Sequence, residues 1–373
     1  MVPLQYISVK STREFLDSGL PEMVGTGLVF EHLLNIGFPQ IRHAQEAEGF
    51  MKILVTGGAG FIGSNVVDGY IRAGHDVVVV DNLFTGKKSN LNPKATFYET
   101  DIRSPQIQEI FQREQPEILN HHAAQISVPA SVSDPLFDAD VNLKGFLNLL
   151  ENAVKHKTRK VIFISSGGAI YGEAEEYPTS EKYSPKPLSP YAISKFCSEF
   201  YLGYYKHQHG LEYTILRYAN VYGPRQIPHG EAGVVSIFMT NLLEGKPSVL
   251  NHFPDEPKGM IRDYCFVGDV VKANLKALAQ GGGDFFNVGT GKETRTLDLY
   301  HVIYEAVKEI KPGLPQALSR LSTQAARPGD IKRSCLVVGK SKEGLGWVPE
   351  ILLGQGIRQT LEWWLREKAR TVT

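Results

Sequence analysis

Met51-Lys52-Ile53-Leu54-Val55-Thr56-Gly57-Gly58-Ala59-Gly60-Phe61-Ile62-Gly63 decides the fold. A short apolar run ends abruptly at Gly57, and helical spacing follows in Asn65-Val66-Val67-Asp68-Gly69-Tyr70-Ile71. The order is strand, glycine turn, helix. Gly57, Gly60 and Gly63 stand three apart, a G-x-x-G-x-x-G pattern. Such a turn lets the backbone approach a pyrophosphate and lets the helix pack close to the strand. Phe61 and Ile62 sit in the same turn and join the glycines as expected cofactor contacts. The bare alternative is a structural turn, but the flanking strand and helix are the context the motif requires.

Downstream segments repeat the strand-end pattern. Asp76-Val77-Val78-Val79-Val80 ends at Asp81, about twenty residues past the glycines. A carboxylate there accepts hydrogen bonds from ribose hydroxyls and repels a 2′-phosphate, so NAD is expected rather than NADP. Thr96-Phe97-Tyr98-Glu99-Thr100 leads to Asp101 and Ile102, where an acid could meet the adenine amino group. Glu117-Ile118-Leu119-Asn120-His121-His122 leads to Ala123 and Ala124, small enough for close approach of a cofactor. His121 and His122 read as strand-end packing in preference to catalysis.

The second informative stretch is Ser189-Pro190-Tyr191-Ala192-Ile193-Ser194-Lys195. It reads as a helix start, and four-residue spacing puts Tyr191 and Lys195 on one face. An ammonium beside a phenol favours the phenolate, which would make Tyr191 a base near neutral pH. With the glycine turn upstream, the pair specifies proton removal from an alcohol coupled to hydride transfer. The strand Arg159-Lys160-Val161-Ile162-Phe163-Ile164 ends in Ser165 and Ser166, where a hydroxyl could hold the alcohol beside Tyr191.

Composition narrows the class. The 373 residues carry 40 Lys+Arg against 40 Asp+Glu, which gives no electrostatic case for nucleic acid or membrane partners. Cys197, Cys265 and Cys335 lie far apart, without metal-ligand spacing, so no metal is expected and reduced thiols in a cytoplasmic protein are. No apolar run is long enough to span a bilayer. Residues 1–50 carry no recognisable module and no secretory pattern, while Met51 opens the strand directly. They are expected to be a loosely attached appendage, or to precede the native start.

Further along, Arg217-Tyr218-Ala219-Asn220-Val221-Tyr222-Gly223-Pro224-Arg225, Arg262-Asp263-Tyr264, Asn287-Val288-Gly289-Thr290-Gly291 and Arg327-Pro328-Gly329-Asp330 follow in order. With the glycine turn, Asp81 and Tyr191/Lys195, the chain from Met51 to about Glu367 resembles the extended short-chain dehydrogenase/reductases. Within them it is similar to the nucleotide-sugar epimerase/dehydratase family, above all to its UDP-glucose 4-epimerase branch. The resemblance implies a Rossmann-type doubly wound parallel sheet, α/β in class, with a smaller α/β substrate-binding domain. Residues 51–222 plus 263–291 would form the first, and 223–262 plus 292–373 the second. It implies NAD and a UDP-sugar as ligands, with Asn82, Ser165, Tyr191, Lys195 and Tyr218 also touching cofactor. Asn220, Arg262, Arg327 and Asp330 would hold the nucleotide diphosphate and ribose, with Ser165 and Ser166 near the sugar, and Asn142 would help position a ligand. It also implies a homodimer through the Tyr191 helix, whose Phe196, Phe200, Tyr201 and Tyr204 would otherwise be core, and the helix from Asn142 to Val154.

The family's members share oxidation at C4 and then diverge. Dehydratases carry Thr-Asp-Glu before Val-Tyr-Gly, and decarboxylases a glutamate in that loop. Here Gly167-Gly168-Ala169 precedes Ile170-Tyr171-Gly172, with no carboxylate to expel water. Return of the hydride after rotation of the 4-keto sugar, hence 4-epimerisation, is favoured. Gly167 stands where relatives carry the catalytic Ser or Thr, leaving Ser166 as the nearest hydroxyl. Ser334 is expected at the sugar pocket, small enough for an N-acetyl group, and uronates are a further option. An inactive NAD-binding sensor, or an oxidoreductase that releases NADH, are the rivals. In the final helix, Ile357, Leu361, Trp364 and Leu365 share one face and are expected in the core.

Overall fold

The structure, a computed structural model, describes residues 49–228, 233–327 and 329–372. The expected N-terminal appendage, up to residue 48, and Pro328 lie outside the described residues. Among the described residues twelve strands occur: β1 (Lys52–Thr56), β2 (Asp76–Asp81), β3 (Thr96–Glu99), β4 (Ile118–His121), β5 (Lys160–Ser166), β6 (Glu212–Tyr218), β7 (Asn220–Tyr222), β8 (Val249–His252), β9 (Ile261–Phe266), β10 (Asp284–Val288), β11 (Glu293–Arg295) and β12 (Ser322–Ala325). The helices are α1 (Phe61–Arg72), α2 (Gln106–Glu114), α3 (Val128–Ser133), α4 (Pro135–Ala139), α5 (Phe146–Lys155), α6 (Pro190–His209), α7 (Val234–Glu244), α8 (Val267–Ala279), α9 (Thr296–Ile310), α10 (Gly339–Leu345) and α11 (Leu353–Val372).

Seven strands pair in parallel in the order β10-β6-β5-β4-β1-β2-β3. The order reverses between β1 and β4, and a parallel sheet binds ligands beyond the strand carboxyl ends at such a point. Side chains alternate across each strand. Ile53, Val55, Val77 and Val79 therefore face α1 and α8, meeting Val66, Tyr70 and Val270. Leu54, Val78, Val80 and Leu119 face the other way, onto Phe111 of α2, Leu149 of α5 and Leu202 of α6. Both faces are covered, which is why β1 and β2 read as unbroken apolar runs. Each fully buried Val, Leu or Phe of this kind contributes about 1.5–3 kcal/mol.

A third core packs Phe238 and Leu242 of α7, Tyr300 and Ile303 of α9, and Ile357 and Leu361 of α11 against Tyr222 and Phe266. Beside it lie a three-stranded sheet, β11-β9-β7, and the pair β12-β8. Two elements cross the division expected from sequence. β9 runs through the boundary at 262/263 and pairs with β7. Leu345 and Trp347, at and beyond the end of α10, are buried in the main-sheet core. Backbone pairing and burial join the lobes more closely than motif order suggested.

Candidate active site

The glycine turn is built as its spacing demands. Gly57 has φ +69°, and a Cβ there would come 2.6 Å from Ala123 N. A Cβ on Gly63 would collide with Gly57 O, so strand and helix can close only around glycine. Gly60 caps α1 without a side-chain hydrogen bond, leaving the first helical amides turned to the cleft. Asp81 closes the turn: its Oδ2 accepts from Ala59 N at 3.0 Å and its Oδ1 from Leu83 N at 2.8 Å. Burial raises the Asp81 carboxyl above its ordinary value, against those two amides.

Gly57, Gly60, Phe61, Ile62, Gly63, Asp81, Asn82, Asp101, Ile102, Ala123 and Ala124 all line one cleft of about 1690 Å³. Single-ligand pockets hold roughly 300–1,000 Å³, so two large ligands fit end to end. The bare glycine cradle, the open helix end and an acid at the end of β2 suit a dinucleotide such as NAD. Asp101 is also an ion-pair partner: Arg103 and the Asn82 amide hold its carboxyl down at about 2.

Ser189 starts α6 by accepting from Ala192 N at 3.2 Å, with Pro190 in the first turn. That cap fixes Tyr191 one turn before Lys195, and both line the cleft. Ser166 lines the cleft with them, and its hydroxyl draws the Tyr191 phenol's pKa down, against burial. The effect expected of Lys195 is different in the structure. Its ammonium donates to Ile164 O at 3.0 Å and lies 5.1 Å over the Phe163 ring. Burial at the cleft floor pushes Tyr191 up to about 12 and Lys195 down to about 8. Desolvation of the charged form dominates both shifts. The protein's own groups favour a neutral phenol beside an ammonium that gives up its proton more readily than an ordinary lysine, and a productive phenolate needs a further positive charge.

Ser165 lines the cleft too, but its hydroxyl donates to Glu199 Oε1 at 2.6 Å. Its proton is thereby committed to a buried network. Glu199 pairs with Arg217 at 2.5 Å, and Arg217 Nη1 donates to Tyr171 Oη at 2.9 Å. At Gly167 a Cβ would lie 2.6 Å from Leu336 Cδ1 and 3.2 Å from Arg217 O. Leu336 therefore fills the space where relatives' hydroxyl residue would start. Tyr218 lines the cleft as expected, but its hydroxyl accepts from Asn274 Nδ2 at 2.6 Å in the interior.

The other end of the cleft gathers Asn220, Arg262, Arg327 and Asp330. Arg262 Nη1 donates to Ile261 O at 2.9 Å, and burial lowers its guanidinium from its ordinary value. Asp330 Oδ2 accepts from Arg327 N at 2.9 Å, tightening that turn. Ser334 is buried beside the catalytic loop, its Oγ 4.0 Å from a Cβ position on Gly168. Trp363 and Trp364 line the cleft, so Trp364 is not the core residue its spacing suggested, and Leu365 is exposed.

His121 packs against Phe146 with ring centroids 4.7 Å apart and bonds Thr56 Oγ1 at 2.7 Å, a structural role. Asn142 stands in a π-helical turn, Asp140–Gly145, behind the cleft; its Nδ2 reaches Gln125 O at 3.0 Å and its Oδ1 accepts from Gln125 N. Buried Asp138 and Glu199 carried no sequence signal, because both acquire meaning only from tertiary neighbours.

A dinucleotide-type cleft with a tyrosine, a lysine and a serine at its floor defines a nicotinamide-dependent enzyme acting on an alcohol. The chain belongs to the NAD dependent epimerase/dehydratase family, which matches residues 53–289. It is 44% identical over 318 residues to a UDP-glucose 4-epimerase of Mycolicibacterium smegmatis, covering 84% of this chain and 98% of the relative. The crystal structure of UDP-glucose 4-epimerase with UDP-glucose from Thermotoga maritima superposes with a TM-score of 0.79 at 45% identity, covering 85% of this chain and all of that one. That of the Thermus thermophilus UDP-glucose 4-epimerase, a complex with NAD, gives 0.76 at 42% identity, covering 84% and 99%. No helix among the described residues is long and apolar enough to cross a membrane.

Proposed function

We propose that this chain is an NAD-dependent 4-epimerase of a UDP-hexose, UDP-glucose and UDP-galactose being its pair. The supporting observation is the floor of the cleft: Ser166, Tyr191 and Lys195 line it together, beside a Gly167-Gly168-Ala169 loop that offers no carboxylate. Elimination or decarboxylation would want an acid there. NAD, held by the glycine turn and Asp81, would supply the acceptor for the C4 hydride and, in its oxidised form, positive charge. Ser166 orients the 4-hydroxyl, and Tyr191 takes its proton and later returns one. Lys195 keeps the Ile164 strand end and the phenol in register. Asn220, Arg262 and Arg327 hold the diphosphate, arginine suiting that geometry, while Asp330 faces the ribose. Gripping the nucleotide leaves the keto sugar free to turn over.

Incubation with UDP-glucose, UDP-N-acetylglucosamine and UDP-glucuronate, without added cofactor, tests the reading through C4 stereochemistry by NMR. Inversion of UDP-glucose is expected. A keto or dehydrated product, stoichiometric NADH, or no exchange on any of them overturns it. The chain also pairs with a second copy in this reading: Phe200, Tyr201 and Tyr204 are exposed on α6, 67%, 39% and 54% open, rather than core.

A further inference from the structure

Asp138 is 1% exposed, in the short α4 that packs against α6. Its Oδ1 accepts from Gln125 Nε2 at 2.9 Å and from Asn142 Nδ2 at 3.0 Å. Both partners are neutral amides. Taking a carboxylate out of water is costly, and a positive charge nearby offsets that cost where neutral amides alone do not. The same Asn142 Nδ2 lies 3.4 Å from Ser194 Oγ, and Ser194 Oγ donates to Tyr191 O at 3.0 Å. Asp138 is thus two hydrogen bonds behind the Tyr191–Lys195 turn.

The charges around Lys195 leave one candidate counter-ion. From β4 and its end, His121 and His122 face it; both are driven neutral by burial, His122 to about 3. From β5 come only the Ile164 carbonyl and the Phe163 ring. From its own helix come Tyr191, a neutral phenol, and one turn on Glu199, whose carboxylate is committed to Arg217 and Ser165. Arg103, over the Phe137 ring of α4 at 5.6 Å, is committed to Asp101 and Asp140. Asp138 is the group whose charge acts on both Lys195 and Tyr191, and it raises both, against burial in the case of the lysine.

We propose that Asp138 is the buried counter-charge of the catalytic pair, a positioning residue that keeps Lys195 an ammonium while its two amide partners lock the Gln125 segment to α6. Without that charge, a desolvated lysine enclosed by neutral groups sheds its proton. The same carboxylate opposes ionisation of Tyr191, in the same direction as burial, so its service to the pair is to the lysine. The assignment rests on the Tyr191–Lys195 chemistry proposed above, but the charge relation stands whether or not a UDP-sugar is turned over.

Asp138→Asn is close to isosteric, and its amide oxygen can accept from the same two donors, so it removes charge and keeps shape. In lysine-labelled full-length protein, the Lys195 side-chain resonance, assigned by its loss in Lys195→Arg, is followed against pH. Asp138→Asn should lower its titration midpoint by on the order of one pH unit. Asp138→Glu, which keeps the charge, should stay near wild type. Circular dichroism checks both folds, and the dissociation constant for NAD should move less than threefold. If UDP-glucose is inverted, the alkaline or acid limb of kcat governed by this pair moves in the same direction. A midpoint in Asp138→Asn equal to wild type, or an equal fall in Asp138→Glu, overturns the proposal. Failure of the sugar assay alone defeats only the substrate reading, because the resonance titration needs no substrate.

Discussion

Ser165 and Glu199 are joined by a 2.6 Å hydrogen bond, which commits the Ser165 proton to the interior while its neighbour Ser166 lines the cleft with Tyr191. Consecutive residues on a strand face opposite sides. Two serines that look interchangeable in sequence therefore have separate duties, and substitution should separate them. Ser166→Ala is expected to lower kcat by about a hundredfold or more while NAD still binds. Ser165→Ala should leave kcat within a few-fold of wild type and cost about 1–3 kcal/mol in denaturant unfolding, from a buried acceptor left short. Equal kcat losses in the two variants would contradict the assignment.

Gly167 cannot take back a hydroxyl freely. Gly167→Ser should destabilise by about 1–3 kcal/mol through contact with Leu336 Cδ1. Leu336→Ala alone should cost about 2–5 kcal/mol as a cavity. The double variant should be clearly more stable than the sum of the two losses, read as a coupling energy in urea unfolding.

Asp81 couples the turn to the cofactor. Removing its carboxylate in Asp81→Ala leaves Ala59 N and Leu83 N without their acceptor. NAD affinity should fall about 10–100-fold by calorimetry, one charge-assisted bond's worth. An unchanged affinity would place the ribose elsewhere.

Acid stability carries a signature at Asp101. Its folded value near 2 lies below the ordinary 3.8, so ionised Asp101 favours the folded state. That contribution is complete above about pH 4 and is lost as pH falls toward 2. Asp101→Asn should be less stable at pH 6 and show a shallower loss between pH 4 and 2 in denaturant titrations.

The exposed α6 aromatics predict assembly. Phe200→Glu with Tyr204→Glu should shift the particle to one chain by light scattering, with the cleft's NAD affinity retained. A wild-type monomer at micromolar concentration would end the dimer reading.

What was legible in sequence was what is local. The turn at Gly57 and the cap at Ser189 are fixed by residues within a few positions, so strand, turn and helix could be read directly. Family motifs brought Asn220, Arg262 and Asp330 to one cleft. The rest depends on direction and distance. Ser165 points to Glu199 because of strand alternation and the packing of α6. Trp364 faces the cleft because α11 lies at its edge. Asp138 has meaning only through Asn142 and Gln125, and the phenol's resistance to ionisation only through burial.

The Leu336 side chain filling the space beside Gly167 ties two distant positions to a shared history. A lineage that regained a hydroxyl residue at 167 would first have to shrink residue 336, or tolerate both changes at once. Covariation between these columns, absent from neighbouring ones, would be its trace across descendants.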